Sequence, residues 1–138
     1  MSELTSEGFA SCYRGLEILS GAMSEWVGVC GQATAQLYLG DATVVFVQRV
    51  GPETEVFFFE DAVAFQAWRN VIAGGDADRH FRYVRVSPAL DDEDGPVALE
   101  SYEAYGRPMP VDDAMAKRVE WACREVAASL RSSLRHAA

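Results

Sequence analysis

The spacing of apolar residues changes several times along the chain, and each change predicts where a helix or a strand begins. Near the N-terminus, Phe9, Leu16 and Leu19 lie on one face of a helical period, which predicts a helix from Ser6 to Met23 with Ser6 as its N-cap. Residues 42–50 are mostly β-branched or aromatic, a composition typical of a strand. The chain is therefore expected to pass from a helix into a sheet within its first 50 residues.

Residues 25–39, between these two elements, fit two interpretations. Apolar residues at heptad spacing would extend the first helix into one long rod. Alternatively, apolar and polar residues alternate over 33–39, and Gly40-Asp41 form a two-residue type II′ turn into the next strand. We prefer this strand because it explains both the alternation and the turn, and Trp26–Cys30 would then be a further short strand. Three glycines oppose the long helix, at about 1 kcal/mol each: Gly21, Gly28 and Gly31.

The rest of the chain continues to alternate between strands and helices. The run Phe57–Phe59 predicts a strand with large apolar side chains on both faces, because successive side chains of a strand point to opposite sides. The second face would then be covered by a helix or left for a partner. Asp61 begins a second helix, which carries Trp68 on its apolar face and ends at Gly74-Gly75. A strand over 80–87, an ambiguous segment over 97–105 and a long amphipathic helix over 111–135 follow.

This order of elements predicts an α+β fold. It has an N-terminal helix, an antiparallel β-meander, a central helix, one or two further strands, and a long C-terminal helix packed on the sheet. The 138 residues are 49% hydrophobic and 24% charged, as expected for one globular domain spanning residues 1–138. No apolar run is long enough to cross a membrane and the N-terminus is acidic, so we expect a cytoplasmic protein.

The charge of the chain restricts the partners it can bind. A net charge of −9 argues against direct binding to nucleic acid, since that affinity depends on Lys and Arg contacts to phosphates. The same charge would steer the protein toward a basic surface on another protein. Lys117 is the only lysine among the 12 basic residues; this arginine bias suggests a GC-rich coding sequence, and hence a bacterial or phage origin.

No arrangement of residues predicts catalysis. The three cysteines (Cys12, Cys30 and Cys123) form no CxxC pair and the two histidines lie far apart, so no metal-ligand spacing is present. We interpret the cysteines as small apolar residues in or near the core. Glycine-rich phosphate loops and nucleophile elbows are also missing from the sequence. We therefore predict a non-enzymatic protein without catalytic, cofactor-binding or metal-binding residues.

Two neighbouring segments are candidates for partner binding. The first is an acidic loop, interpreted as an exposed surface: Asp91, Asp92, Glu93 and Asp94. The second is a group of residue types that are enriched in protein interfaces, in a segment bounded by Gly and Pro: Tyr102, Tyr105 and Arg107. Together they predict a surface that recognises a protein partner.

We expect a small acidic protein-binding module, such as an inhibitor, an immunity or anti-defence protein, or an adaptor. The order of elements, the size and the acidity are similar to those of the small dimeric secretion chaperones; this resemblance implies a homodimer that binds a segment of an effector protein. The alternative is an enzyme or small-ligand-binding domain with a pocket between sheet and helices. That pocket would be lined by four aromatic residues: Trp26, Phe57, Phe59 and Trp68.

Overall fold

A computed structural model describes residues 4–40, 42–75, 81–88, 97–103, 107–109 and 112–137. Within these residues the chain forms three helices and six strands. In chain order they are α1 (Ser6–Cys30), β1 (Thr34–Tyr38), β2 (Val44–Val50), β3 (Glu53–Phe59), α2 (Ala62–Ile72), β4 (Arg82–Pro88), β5 (Val97–Glu103), β6 (Arg107–Met109) and α3 (Asp113–Ala137).

The six strands form one antiparallel sheet in which each strand lies beside its neighbours in the chain, in the order β1 to β6. The predicted α+β class is confirmed, including the meander, the central helix and the long C-terminal helix. Residues 97–103 are a strand, which decides the ambiguous segment. The short strand β6 is a third strand after α2, one more than predicted. Its residue Arg107 is paired with Glu103 of β5.

The helices α1 and α3 run parallel to each other and cover one face of the sheet, called here the α1–α3 face. Their direction follows from three contacts: Thr5 with Asp113, Ser11 with Glu120, and Glu25 with Arg131. Apolar residues of both helices and of strands β1 to β4 form one buried cluster between them. Its fully buried members include Leu19, Met23, Val45, Val47, Val56, Val86 and Val126.

The opposite face of the sheet, called here the α2 face, is covered by the much shorter helix α2. Its core is an aromatic cluster in which the Trp68 ring lies 5.2 Å from the rings of both Phe57 and Phe59. Phe58 points to the α1–α3 face instead. All three phenylalanines are buried, so of the two alternatives for the second face, the covering helix is the one found.

The first helix is longer than predicted. It continues through Trp26–Cys30, so the prediction of a short strand there is wrong, although the strand that follows, β1, is confirmed. The helix ends because Gly31 adopts a left-handed conformation, at φ 71°, and donates its N–H to the carbonyl of Val27. Its N-cap is Thr5 rather than Ser6: the Thr5 hydroxyl accepts a hydrogen bond from the Gly8 N–H.

The hairpin between β1 and β2 is confirmed, but its predicted type II′ turn is wrong. Leu39 donates its N–H to the Thr43 carbonyl, so three residues lie between the two members of this hydrogen-bonded pair. The residue with positive φ is Ala42, at 77°, and not Gly40. A third loop residue in the left-handed region is the usual conformation of a three-residue hairpin loop. The sequence alone points to the glycine, because glycine adopts the left-handed region most readily.

Candidate partner-binding surface

A small polar pocket of about 290 Å³ lies between the N-terminal halves of α1 and α3. Its two central carboxylates already have several donors. Both oxygens of Asp113 accept hydrogen bonds from Thr5, one from the backbone N–H at 2.9 Å and one from the hydroxyl at 2.8 Å. The Oε1 atom of Glu120 accepts from Ser11 and Arg14, and its Oε2 atom accepts from Arg124.

These donors determine how the two carboxyl groups titrate. The backbone N–H and the hydroxyl of Thr5 hold the pKa of Asp113 below its usual value. The hydroxyl of Ser11 lowers the pKa of Glu120; burial opposes this shift, and the guanidinium groups of Arg124 and Arg14 reinforce it. Both groups are therefore carboxylates near neutral pH and do not act as general acids. Their role is to hold the two helices together.

The two buried thiols are also poor candidates for chemistry. Burial, with smaller effects from the charges of Glu120 and Asp113, raises the pKa of Cys12 to about 12. Burial also raises the pKa of Cys123. A nucleophilic cysteine needs a lowered pKa, so these two are core residues, as predicted. The third cysteine, Cys30, is exposed at the end of α1, and its predicted core position is wrong.

The described part of the chain contains neither a cluster of metal-ligating side chains nor a helix suited to cross a membrane. No three His, Cys, Asp or Glu side chains come together there in a way that could hold a metal ion. None of the helices in these residues combines the length and the apolar character needed to cross a membrane.

The edge of the sheet at β1 offers a different kind of site. In an antiparallel pair, the backbone N–H and C=O groups of successive residues point alternately toward and away from the partner strand. Ala33 and Leu39 form backbone hydrogen bonds on the side of β2, so the backbone groups of Gln36 and Tyr38 point away from β2. Among the described residues no strand pairs with this outer side. The outward carbonyl of Thr34 accepts a hydrogen bond from the indole N–H of Trp26, at 3.3 Å. The edge therefore presents a row of backbone donors and acceptors whose first position is covered by a tryptophan.

The outer edge at β6 is built differently. This strand has three residues, and the central one, Pro108, has no N–H to offer to another strand. Short edge strands and prolines are common ways to prevent pairing with a second chain. By contrast, the five residues of β1 include no proline and no charged residue. Of the two edges, β1 is the one suited to accept a further strand.

A groove of about 570 Å³ lies beside β1. It forms because α2 covers the central strands but does not extend over β1. The floor and walls are largely aromatic, from Trp26, Phe46, Phe65 and Trp68, while Gln32, Thr34 and Gln36 supply polar groups on the side of β1. On the side of α2, Ile72 is 63% exposed and Arg69 lies one helical turn before it.

Arg69 is a positive charge at the rim of this groove. Its guanidinium lies 5.7 Å from the centre of the Phe65 ring. In the described residues, ion pairs are formed by Arg14, Arg85, Arg124 and Arg131, and none by Arg69. The groove thus combines an apolar surface with a cation that has no carboxylate partner in the part of the chain that the structure describes.

Of the partner-binding residues predicted from sequence, the structure describes Tyr102 and Arg107. The acidic loop Asp91–Asp94 and Tyr105 are outside the described residues. Tyr102 and Arg107 are on adjacent strands, where Tyr102 is the pairing partner of Tyr83 on one side and of Pro108 on the other. Their predicted role in partner binding stays a prediction.

The predicted pocket is found only in part. Trp26 and Trp68 both line the groove, whereas Phe57 and Phe59 lie in the core under α2. Sequence analysis missed Gln36 and Arg69, although one signal was available: β1 lacks the charged residues and prolines that usually protect an edge. Comparison with known proteins found no matching family model, no matching curated protein and no matching solved structure.

Proposed function

We propose that this protein is a protein-binding module that captures an extended segment of a partner by adding it as a strand to β1. The observation that carries the proposal is the outer edge of β1, where the backbone groups of Gln36 and Tyr38 point away from the sheet. An added strand would satisfy these groups, as in other complexes formed by strand addition. The exposed side chains of Thr34, Gln36 and Tyr38 leave room for it.

The charge of the protein supports a partner with basic surroundings. The chain carries a net charge of −9, which favours encounters with positively charged proteins and disfavours acidic ones. In this proposal the acidic loop Asp91–Asp94 acts on the rate of encounter, and β1 provides the specific contact. An inhibitor, an immunity protein or an adaptor could all work in this way, and so could a chaperone for a secreted effector.

A pair of variants at one residue tests the contact with the backbone. Gln36→Pro removes the outward N–H and leaves the bonds to β2 intact, because those are made by residues 35 and 37. Gln36→Thr changes the same side chain but keeps the N–H. A random linear-peptide library displayed on phage is selected against the natural protein, and the enriched peptides are then measured against both variants by fluorescence polarisation. We expect roughly tenfold weaker binding to Gln36→Pro and little change with Gln36→Thr, since a lost backbone hydrogen bond is accompanied by strain at the proline.

The geometry of the bound peptide provides a second test. Methylating single backbone nitrogens along an enriched peptide should weaken binding at every second position, because alternate N–H groups of an added strand face β1. Binding that is equally sensitive to Gln36→Pro and Gln36→Thr, or methylation effects without a period of two, would contradict strand addition. If light scattering shows that β1 is occupied by a second copy, and that Gln36→Pro dissociates the dimer, then the edge is a homodimer interface and the proposal is wrong.

A further inference from the structure

The groove beside β1 lies on the α2 face of the sheet. Side chains of an extended segment alternate between the two faces, so every second side chain of an added strand would project toward this groove. The residues it would meet are Ile72, which is 63% exposed, and Arg69. These two lie three positions apart on α2, a spacing that places their Cβ atoms about 5–6 Å from each other.

The lining of the groove defines the chemistry of what it can hold. Trp26, Phe46 and Ile72 present half-buried or exposed apolar surface, which favours a large aliphatic or aromatic side chain. The guanidinium of Arg69 has no ion-pair partner among the described residues, so it favours a carboxylate and repels a Lys or Arg side chain. The preference is local: charges separated by more than about 8 Å are largely screened at physiological salt.

We propose that the captured segment carries a large apolar residue and, two positions away, an Asp or Glu. The apolar side chain occupies the groove against Ile72 and Trp26, and the carboxylate pairs with Arg69. The interval of two follows from geometry, because residues i and i+2 of a strand share a face and lie about 7 Å apart, close to the separation of Ile72 and Arg69. This inference rests on the proposed strand addition at β1 and specifies which segments are selected there.

The selected peptides test the pattern directly. Peptides enriched from the random library, and shown to depend on the N–H of Gln36, should contain the apolar–x–acidic pattern more often than the unselected library. One such peptide is then synthesised with its acidic residue intact, replaced by the neutral amide, and replaced by Lys. We expect the amide to bind about threefold more weakly and the Lys peptide about tenfold more weakly, as exposed ion pairs contribute modestly.

Charge reversal on the protein provides the complementary measurement. Arg69→Glu should weaken binding of the acidic peptide about three- to tenfold and improve binding of the Lys peptide. Arg135→Glu makes the same change in net charge at an exposed position in the last turn of α3 that does not line the groove, and it should leave the binding of both peptides nearly unchanged. Ile72→Ser should weaken all peptides that carry the large apolar residue.

The outcomes distinguish this inference from the proposal on which it rests. If peptides bind in a Gln36→Pro-sensitive way but show no apolar–x–acidic pattern, the inference is wrong and strand addition stands. The same holds if Arg69→Glu and Arg135→Glu have equal effects. If no peptide depends on Gln36, both fail. If Arg69→Glu, and not Arg135→Glu, makes the protein bind the Lys peptide more tightly than the acidic peptide, the inference is supported.

Discussion

The two faces of the sheet are covered in different ways. On the α1–α3 face, two parallel helices of 25 residues each lie side by side and close the core. On the α2 face, a single helix of 11 residues covers an aromatic cluster. At about 1.5 Å per residue this helix is roughly 16 Å long, so it cannot reach over all six strands.

This difference explains where the candidate site lies. Ala35 of β1 is buried on the α1–α3 face, whereas Thr34 and Gln36 are exposed on the other. The strand is therefore anchored on one side and accessible on the other, with its outer edge open. A short second helix leaves room for a partner, and the long pair of helices keeps the sheet stable while one edge is exposed. The variants below test each half of this comparison.

The largest effect is expected on the α2 face. Trp68 is 9% exposed and its ring lies within 6.3 Å of five other aromatic rings. We expect Trp68→Ala to lower the free energy of unfolding by about 3–5 kcal/mol, because the cavity cannot collapse without moving α2. Urea unfolding followed by circular dichroism measures this change. Gln66→Ala on the exposed side of the same helix is the matched control, and a similar loss for both variants would contradict a core role for Trp68.

A pair of glycines tests the packing on the α1–α3 face. A Cβ atom added at Gly15 would lie 3.0 Å from the Cα of Glu120 and 3.2 Å from the Cβ of Cys123, so α1 and α3 would have to separate slightly. We expect Gly15→Ala to be destabilising by about 1–3 kcal/mol. The same substitution at Gly28, where nothing lies within 4 Å, should stabilise the helix by about 0.5–1 kcal/mol.

The midpoint temperatures of thermal unfolding of the two glycine variants should therefore shift in opposite directions if the helices are as close as described. Equal shifts would mean that α1 and α3 do not approach each other at Gly15. The result bears on the comparison of the two faces, because a loosely packed helix pair could not hold β1 in place.

Several elements could be predicted because their signals are local. The Asp61 cap and the glycines after Ile72 define α2, and the consecutive phenylalanines predict a strand with apolar side chains on both faces. The end of α1 could not be predicted in the same way. Gly21, Gly28 and Gly31 look alike in sequence, but only Gly31 adopts a positive φ, and tertiary packing on α3 stabilises the helix through the other two.

The candidate site depends on relations that are not local. The sequence predicts β1 as a strand, but whether a strand lies at an edge depends on which other strands pair with it. Ile72 follows the same apolar spacing on α2 as Trp68, but in the structure it is 63% exposed, which the spacing alone does not predict. The role of Arg69 follows from its position beside β1, which is about 35 residues earlier in the chain.

A smaller effect, dependent on pH, is expected where α1 meets α3. The hydroxyl of Ser11 holds the pKa of Glu120 below its usual value of 4.5. A carboxyl group with a lowered pKa stabilises the fold above its unfolded-state pKa, and this contribution is lost as the pH falls through the folded-state pKa. We expect Glu120→Gln to lower the free energy of unfolding by about 1 kcal/mol at neutral pH.

The difference in the free energy of unfolding between the natural protein and Glu120→Gln should shrink toward zero as the pH falls through and below 4.5, because both proteins then carry a neutral group at position 120. Urea unfolding across this pH range measures it. Glu125→Gln, an exposed position on the same helix, is the control and should change the free energy of unfolding little at neutral pH. A constant difference for Glu120→Gln would show that its charge does not stabilise the contact between the helices.

The smallest effect concerns a single hydroxyl group under the α1–α3 face. Thr54 is 1% exposed, and its Oγ1 atom has no hydrogen-bond partner among the residues that the structure describes. It lies on the same side of β3 as Val56 and Phe58, which belong to the buried cluster.

A buried hydroxyl without a partner is destabilising, so Thr54→Val, which has nearly the same shape, should raise the free energy of unfolding by about 1 kcal/mol. Thr54→Ser keeps the hydroxyl and removes a methyl group, and it should lower the free energy by a similar amount. If Thr54→Val is instead destabilising, the hydroxyl does have a partner, and the α1–α3 face is less apolar at β3 than its neighbours suggest.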